Sequence, residues 1–167
     1  MTDKLLFALT LLSALGCGLV AGAFFAFSTF VMNALARLQP AQGIAAMQSI
    51  NVTVINPSCG VAFLGTAAAC VLLAVSSLLR WREPASVYHL AGSLLYLVGA
   101  VLVTIVFNAP RNDALAAVDP ASAEGANLWA DYVASWTAWN HVRTAAALAA
   151  AAALTIALYL SRSVEAP

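Results

Sequence analysis

The chain has 167 residues, of which 63% are hydrophobic and only 8% charged, and its formal net charge is zero. A mean hydropathy of +0.91 places it in the integral membrane class, as a single transmembrane domain over residues 1–167. No basic run exists to track a phosphate backbone, so nucleic acid is excluded as a partner and the lipid bilayer is the expected surrounding.

Four apolar runs, 5–36, 59–79, 89–107 and 144–160, are each near or above the ~20 residues that cross a bilayer core. The expected fold is an all-α, integral membrane four-helix bundle. Two long loops, 37–58 and 108–143, fall on one face and carry short interfacial helices. If wholly helical, the first run is ~45 Å long against a ~30 Å hydrocarbon core, so it must tilt, kink or project. Ala14-Leu15-Gly16-Cys17 faintly resembles a lipoprotein cleavage box, but apolar sequence continues to Val31 and a removable signal's core is only ~7–15 residues. This run is therefore read as a retained span.

Gly16, Gly18 and Gly22 imitate a dinucleotide fingerprint, without the preceding strand such a motif needs. Ala14, Gly18, Gly22 and Ala26, spaced by four, instead form a small-residue stripe for close helix packing, within the chain or between copies in a homo-oligomer. Phe24, Phe25, Phe27 and Phe30 bring aromatic bulk toward the long-loop face, either as lipid and core contacts or as walls for a flat aromatic ligand.

Pro40 opens a short helix through Ile50, and Asn56-Pro57 breaks the chain before the second span. Cys59 and Cys70 would stand ~16 Å apart on one helix, too far to bridge. The third run is expected to end at Asn108, because Pro110 follows; the Asn108 amide then either caps open carbonyls or meets a ligand. Asp119-Pro120 is another helix-start signal. From Leu128 onward, Trp129, Tyr132, Val133, Trp136, Asn140 and Arg143 recur at helical spacing along one face, with Trp129 and Tyr132 open to a role as interfacial anchors. Lys4, Arg80, Arg82 and Arg162 on one side outweigh Arg37, Arg111 and Arg143 on the other by one charge. This favours cytoplasmic termini, and the Ala-rich composition suggests a bacterial inner membrane.

Polar side chains concentrate in NAPRND, from Asn108 to Asp113, and WTAWNHVR, from Trp136 to Arg143. Such groups are costly near hydrocarbon unless they pair, face the protein interior or meet a ligand. The candidates are Asn108, Asn112, Trp136, Trp139, Asn140, His141 and Arg143. Arg143 can bind a substrate oxygen, pair with Asp131 or Asp113, or snorkel. His141 is turned ~100° from Asn140, on the side of Thr137 and Thr144. No metal and no cofactor are expected: there are only two histidines, no paired-carboxylate helix motif, and His89 and His141 stand ~28 Å apart, too far to share a haem. With no charged residue expected in mid-span, a transporter subunit is disfavoured.

FFAFSTFVMNAL at the end of the first run, Asn51, Asn56-Pro57, NAPRND, and W-x-x-WN-x-x-R from Trp136 to Arg143 resemble a family of small four-span membrane proteins of unknown function grouped with the anthrone oxygenases. The resemblance covers nearly the whole chain; the family's run would carry proline at Asn33 and an apolar residue at Arg111. It implies oxidation of a phenolic anthrone to an anthraquinone by dioxygen, without a recognised metal or flavin. Under it, Asn108, Asn112, Asn140 and Arg143 bind oxygen atoms and stabilise an enolate. Trp136 and Trp139 wall the aromatic substrate and His141 is the available base; Phe27 and Phe30 join the substrate-binding candidates from their place in the first run, not from the resemblance. The rival is a non-catalytic membrane protein that binds a lipid or quinone, or assembles with a partner.

Overall fold

The computed structural model describes residues 3–163, with side chains through Ser161; the side chain of Arg162, counted above in the charge balance, lies outside the described residues. Five helices follow in order: α1 Asp3–Leu35, α2 Pro40–Thr53, α3 Pro57–Leu79, α4 Ser86–Ala116 and α5 Ala123–Ser163. All but α2 are long and apolar enough to cross a membrane, and no strand occurs among the described residues. The chain is thus an all-α, multi-pass membrane bundle.

The helix starts obey local chemistry. Pro40 and Pro57 occupy first turns, where the missing N–H costs nothing, and Asn56 Oδ1 accepts the Cys59 N–H at 3.0 Å. Ser122 Oγ accepts the Gly125 N–H at 2.9 Å at the entry to α5, just after Asp119-Pro120. α2 matches the helix expected in the first long loop.

The second long loop differs from expectation. α4 does not stop at Asn108 but runs through Pro110 to Ala116, and α5 is one 41-residue helix in which the aromatic segment and the last span are continuous. Residues 108–143 are therefore mostly helix, and α5 reaches ~30 Å before Arg143. Pro110 is tolerated because α4 widens into π-turns at Leu97–Leu102 and Thr104–Asn108 just before it, which relaxes the clash of a proline ring with the preceding turn. Arg111 then donates from Nη1 to the Phe107 carbonyl at 2.5 Å and from Nε to Ser135 Oγ at 2.9 Å, tying α4 to α5. The N-terminal half of α5 escapes a hydropathy reading because its outward face is polar while its inward face is aromatic.

Two cores result. In the inner one, Cys17, Ala21, Leu73, Tyr96, Ala100, Ala147, Ala150 and Leu154 are wholly enclosed. Helices approach closely here: a Cβ at Gly16 would collide with Thr66, and one at Gly99 with Ala146. The small-residue stripe used inside the chain is Ser13, Cys17 and Ala21, one position off the expected series. Of that series Ala14 is buried, but Gly18 and Gly22 face open space. The outer core joins Met32, Ile44, Met47, Leu115, Trp129, Tyr132 and Trp136. Trp129 and Tyr132 are enclosed there between α2, α4 and α5, so they are not interfacial anchors. The candidate site lies where the two cores meet.

Candidate functional site

Arg143 lies inside the bundle with 5% of its surface exposed. Its guanidinium carbon stands 4.3 Å from the Phe24 ring centre and 5.0 Å from that of Trp136. Phe24 in turn meets Phe63, edge to face at 6.3 Å. Phe63 is six residues into α3, so this level is ~9 Å below the start of that span. Nη1 donates to Thr104 Oγ1 at 3.1 Å and Nη2 to Asn140 Oδ1 at 2.5 Å. Among the described residues only Arg80 forms ion pairs, with Asp3 and Glu83; neither Asp113 nor Asp131 reaches Arg143.

Asn140, fully enclosed, orients this group. Its amide nitrogen donates to the Phe24 carbonyl at 2.7 Å and to Ser28 Oγ at 2.6 Å, which turns the amide oxygen toward Arg143. Ser28 also lies 3.3 Å from Thr144 Oγ1, and Thr144 donates to the Asn140 carbonyl at 2.8 Å. Asn108 donates from Nδ2 to the Trp136 carbonyl at 3.2 Å, bonding across to α5 instead of capping its own helix. Three buried polar atoms in this neighbourhood have no partner: Arg143 Nε, Asn108 Oδ1 and Thr137 Oγ1. Orphans of this kind are rare in folded proteins and carry a desolvation cost, so they mark places where a further molecule can bind.

A second polar knot lies farther out. Asn112 Oδ1 accepts from both Tyr132 Oη at 2.8 Å and Trp136 Nε1 at 2.9 Å, fixing the ring that forms one wall of the Arg143 cluster. Asn112 thus holds Trp136 and makes no hydrogen bond to the guanidinium or to Thr104 or Asn140. Trp129, Tyr132 and Trp136 form a near-parallel series with centroid spacings of 5.6 and 6.2 Å.

The structure therefore gathers Asn108, Trp136, Asn140, Arg143 and Phe27, whose ring is 5.9 Å from that of Trp136. Trp139 is set to one side, stacked on Phe107 at 3.5 Å. Phe30 does not join, being 61% exposed on the outer surface of α1, and His141 is exposed, on a flank of α5 away from Asn140. The 100° step that separates His141 from Asn140 carries it out of the cluster. The other histidine, His89, is buried near the opposite end of the bundle, with Nε2 3.0 Å from Thr10 Oγ1. A groove of about 510 Å³ opens at that end, between Asp3, Phe7, Arg80 and Leu158, far from the Arg143 cluster.

Sequence reading missed Phe24 as the ring under the guanidinium, and gave no role to Ser28, Thr104 or Thr144. Hydroxyls inside apolar helices usually bond back to their own helix, as Thr104 does to the Ala100 carbonyl at 2.7 Å, and so leave no mark in the pattern. Only the structure marks them: Ser28 lies within the π-turn Phe27–Val31 and Thr104 opens another, and such turns recur at functional sites.

Neither a curated protein nor a solved structure matches the chain. The family model described as anthrone oxygenase matches residues 58–153, more than half of the 167 residues, and takes in Asn108, Asn112, Trp136, Asn140 and Arg143. The helical bundle, its polar cluster and this match agree: the chain belongs to the anthrone oxygenase family.

Proposed function

We propose that this protein is a metal-free oxygenase that oxidises an apolar phenolic or anthrone-type molecule with dioxygen at the Arg143 cluster. The observation that carries the reading is a cationic side chain enclosed in aromatic walls, oriented by amides and hydroxyls and left with an unpartnered donor. Fixed donors in a water-poor site stabilise developing negative charge far better than the same donors in water.

The chemistry balances without an external reductant. Loss of a proton from the substrate's ring CH₂ gives an electron-rich enolate; the enolate passes one electron to dioxygen, the two radicals join through a new C–O bond, and loss of water leaves a carbonyl. One substrate and one dioxygen become one quinone and one water. Among the described residues no imidazole or carboxylate bonds to the cluster, so the protein's part in this reading is electrostatic and the proton is taken up by water. Phe24 and Trp136, with Phe27, are the rings against which an aromatic substrate would lie.

We place the chain in a bacterial inner membrane with its termini in the cytoplasm. Lys4, Arg80 and Arg82 at one end exceed Arg37 and Arg111 at the other once the enclosed Arg143 is set aside. Contact with a second copy through the open Gly18 and Gly22 is compatible with this arrangement. The groove near Asp3 and Arg80 favours a second reading, a non-catalytic protein that holds a lipid or quinone there.

Turnover decides between them. Purified protein in detergent is mixed with a hydroxylated anthrone under heavy-isotope dioxygen, and oxygen uptake is followed with mass analysis of the product. Enzyme-dependent uptake with one heavy oxygen in the new carbonyl supports the oxygenase; uptake no faster than the protein-free rate, with the anthrone still bound, supports the second reading.

A further inference from the structure

The guanidinium of Arg143 is covered by rings and bonded at both terminal nitrogens, yet among the described residues no carboxylate pairs with it. Phe24 and Trp136 lie 4.3 and 5.0 Å from its carbon, Thr104 and Asn140 take Nη1 and Nη2, and Nε alone is unpartnered. A guanidinium 95% enclosed with no counter-ion is strongly unfavourable, and the neighbours present are neutral. The charge has no counter-ion among the described residues, and Nε is the one guanidinium nitrogen left without any partner.

We propose that the Nε edge of Arg143 is a binding site for a small monoanion. Shape sets the size. A tricyclic enolate would have to part Phe24 from Trp136 to lay its oxygen on that edge, whereas a monoatomic or diatomic anion needs only the edge itself. Asn140 fixes the plane, because its amide nitrogen is committed to Phe24 and Ser28 and its oxygen to Nη2. In the resting protein the occupant is a small anion from solution, such as chloride. In turnover it is superoxide, the one-electron product of dioxygen, while the organic radical stays on the far side of the ring walls. This last assignment rests on the oxygenase reading; the anion site does not.

The site divides the work of the cluster differently from the family resemblance, which places Arg143 on the substrate enolate. Holding superoxide beside the organic radical favours their recombination over escape; without the site, escaped superoxide disproportionates with protons from water to hydrogen peroxide and dioxygen, and the organic radicals couple in pairs instead of becoming quinone.

The test needs no substrate. Thermal unfolding of the full chain in a neutral detergent is measured at constant ionic strength while gluconate, too large for the edge, is replaced by chloride or nitrate. The expected result is a rise in Tm of about 3 °C or more that saturates with anion concentration. Arg143→Met removes the dependence. Thr104→Asp, which supplies an internal carboxylate opposite Nη1, also removes it while keeping the guanidinium, and so answers for a methionine variant that fails to fold. Equal Tm in gluconate and chloride for the wild-type chain, or a rise that persists undiminished in either variant, overturns the proposal. An anion-dependent Tm without any oxygen uptake keeps the anion site and removes only the oxygenase reading. Oxygen uptake with no anion dependence does the reverse.

Discussion

Replacing Asn140 by alanine removes the residue that joins α1 to α5 and sets the plane of Arg143. Three bonds are lost: two neutral ones from the amide nitrogen, at 2.7 Å to the Phe24 carbonyl and 2.6 Å to Ser28 Oγ, and one accepted from Arg143 Nη2. Neutral hydrogen bonds between membrane helices average ~0.6 kcal/mol each. A bond to a charged group contributes ~1.5–3 kcal/mol. The sum is about 3 kcal/mol, a large share of a typical folding stability of ~5–15 kcal/mol. Equilibrium unfolding in mixed micelles, followed by circular dichroism, measures it. Thr155→Ala is the control, because Thr155 is exposed and bonds only to the Ala151 carbonyl of its own helix, so its loss should be nearly silent. A loss below ~1 kcal/mol for Asn140→Ala would refute the idea that this amide organises the junction of the two cores.

Gly99→Leu should disrupt folding, since even a Cβ there collides with Ala146, whereas Gly18→Leu should leave the monomer intact because the space beside it is open; detergent-phase yield and melting curves separate the two. Asn112→Ala should release Trp136 and Tyr132, giving a red-shifted tryptophan emission and a several-fold rise in KM with a smaller change in kcat. His141→Ala should leave oxygen uptake within about two-fold, because this side chain lies outside the cluster. With no base among the described residues bonded to the cluster, kcat/KM should climb about tenfold per pH unit below the substrate's own ionisation, and an earlier plateau that disappears in His141→Ala would restore His141 as the base.

The four membrane crossings were legible because each contains an unbroken apolar stretch, and the helical face from Trp129 to Arg143 was legible from spacing alone. What hid was continuity. Pro110 is an ordinary stop signal, and only the π-turn before it and the guanidinium of Arg111 beside it let α4 carry on. Asn33, where the resemblance would put proline, serves similarly in α1: its amide donates to the Thr29 carbonyl inside a π-turn at 2.7 Å. Within the site, the amides and Arg143 could be found because they are out of place in an apolar chain. Phe24, Ser28 and Thr104 could not, since an aromatic or a hydroxyl in a membrane helix is unremarkable until packing brings it to a partner on another helix. The exposed positions of Phe30 and His141 follow from helical phase at the π-turn and in α5, where one residue of offset moves a side chain from wall to surface.

The central claim is that Arg143 stabilises negative charge on oxygen inside a closed aromatic cluster, and steady-state oxygen uptake with an anthrone substrate by Arg143→Met against wild type tests it most directly. A loss of about a hundred-fold or more in kcat, with substrate binding retained and hydrogen peroxide replacing quinone, is the result expected. Uptake within a few-fold of wild type, in a variant with native circular dichroism, would contradict the account and leave Arg143 a structural cation.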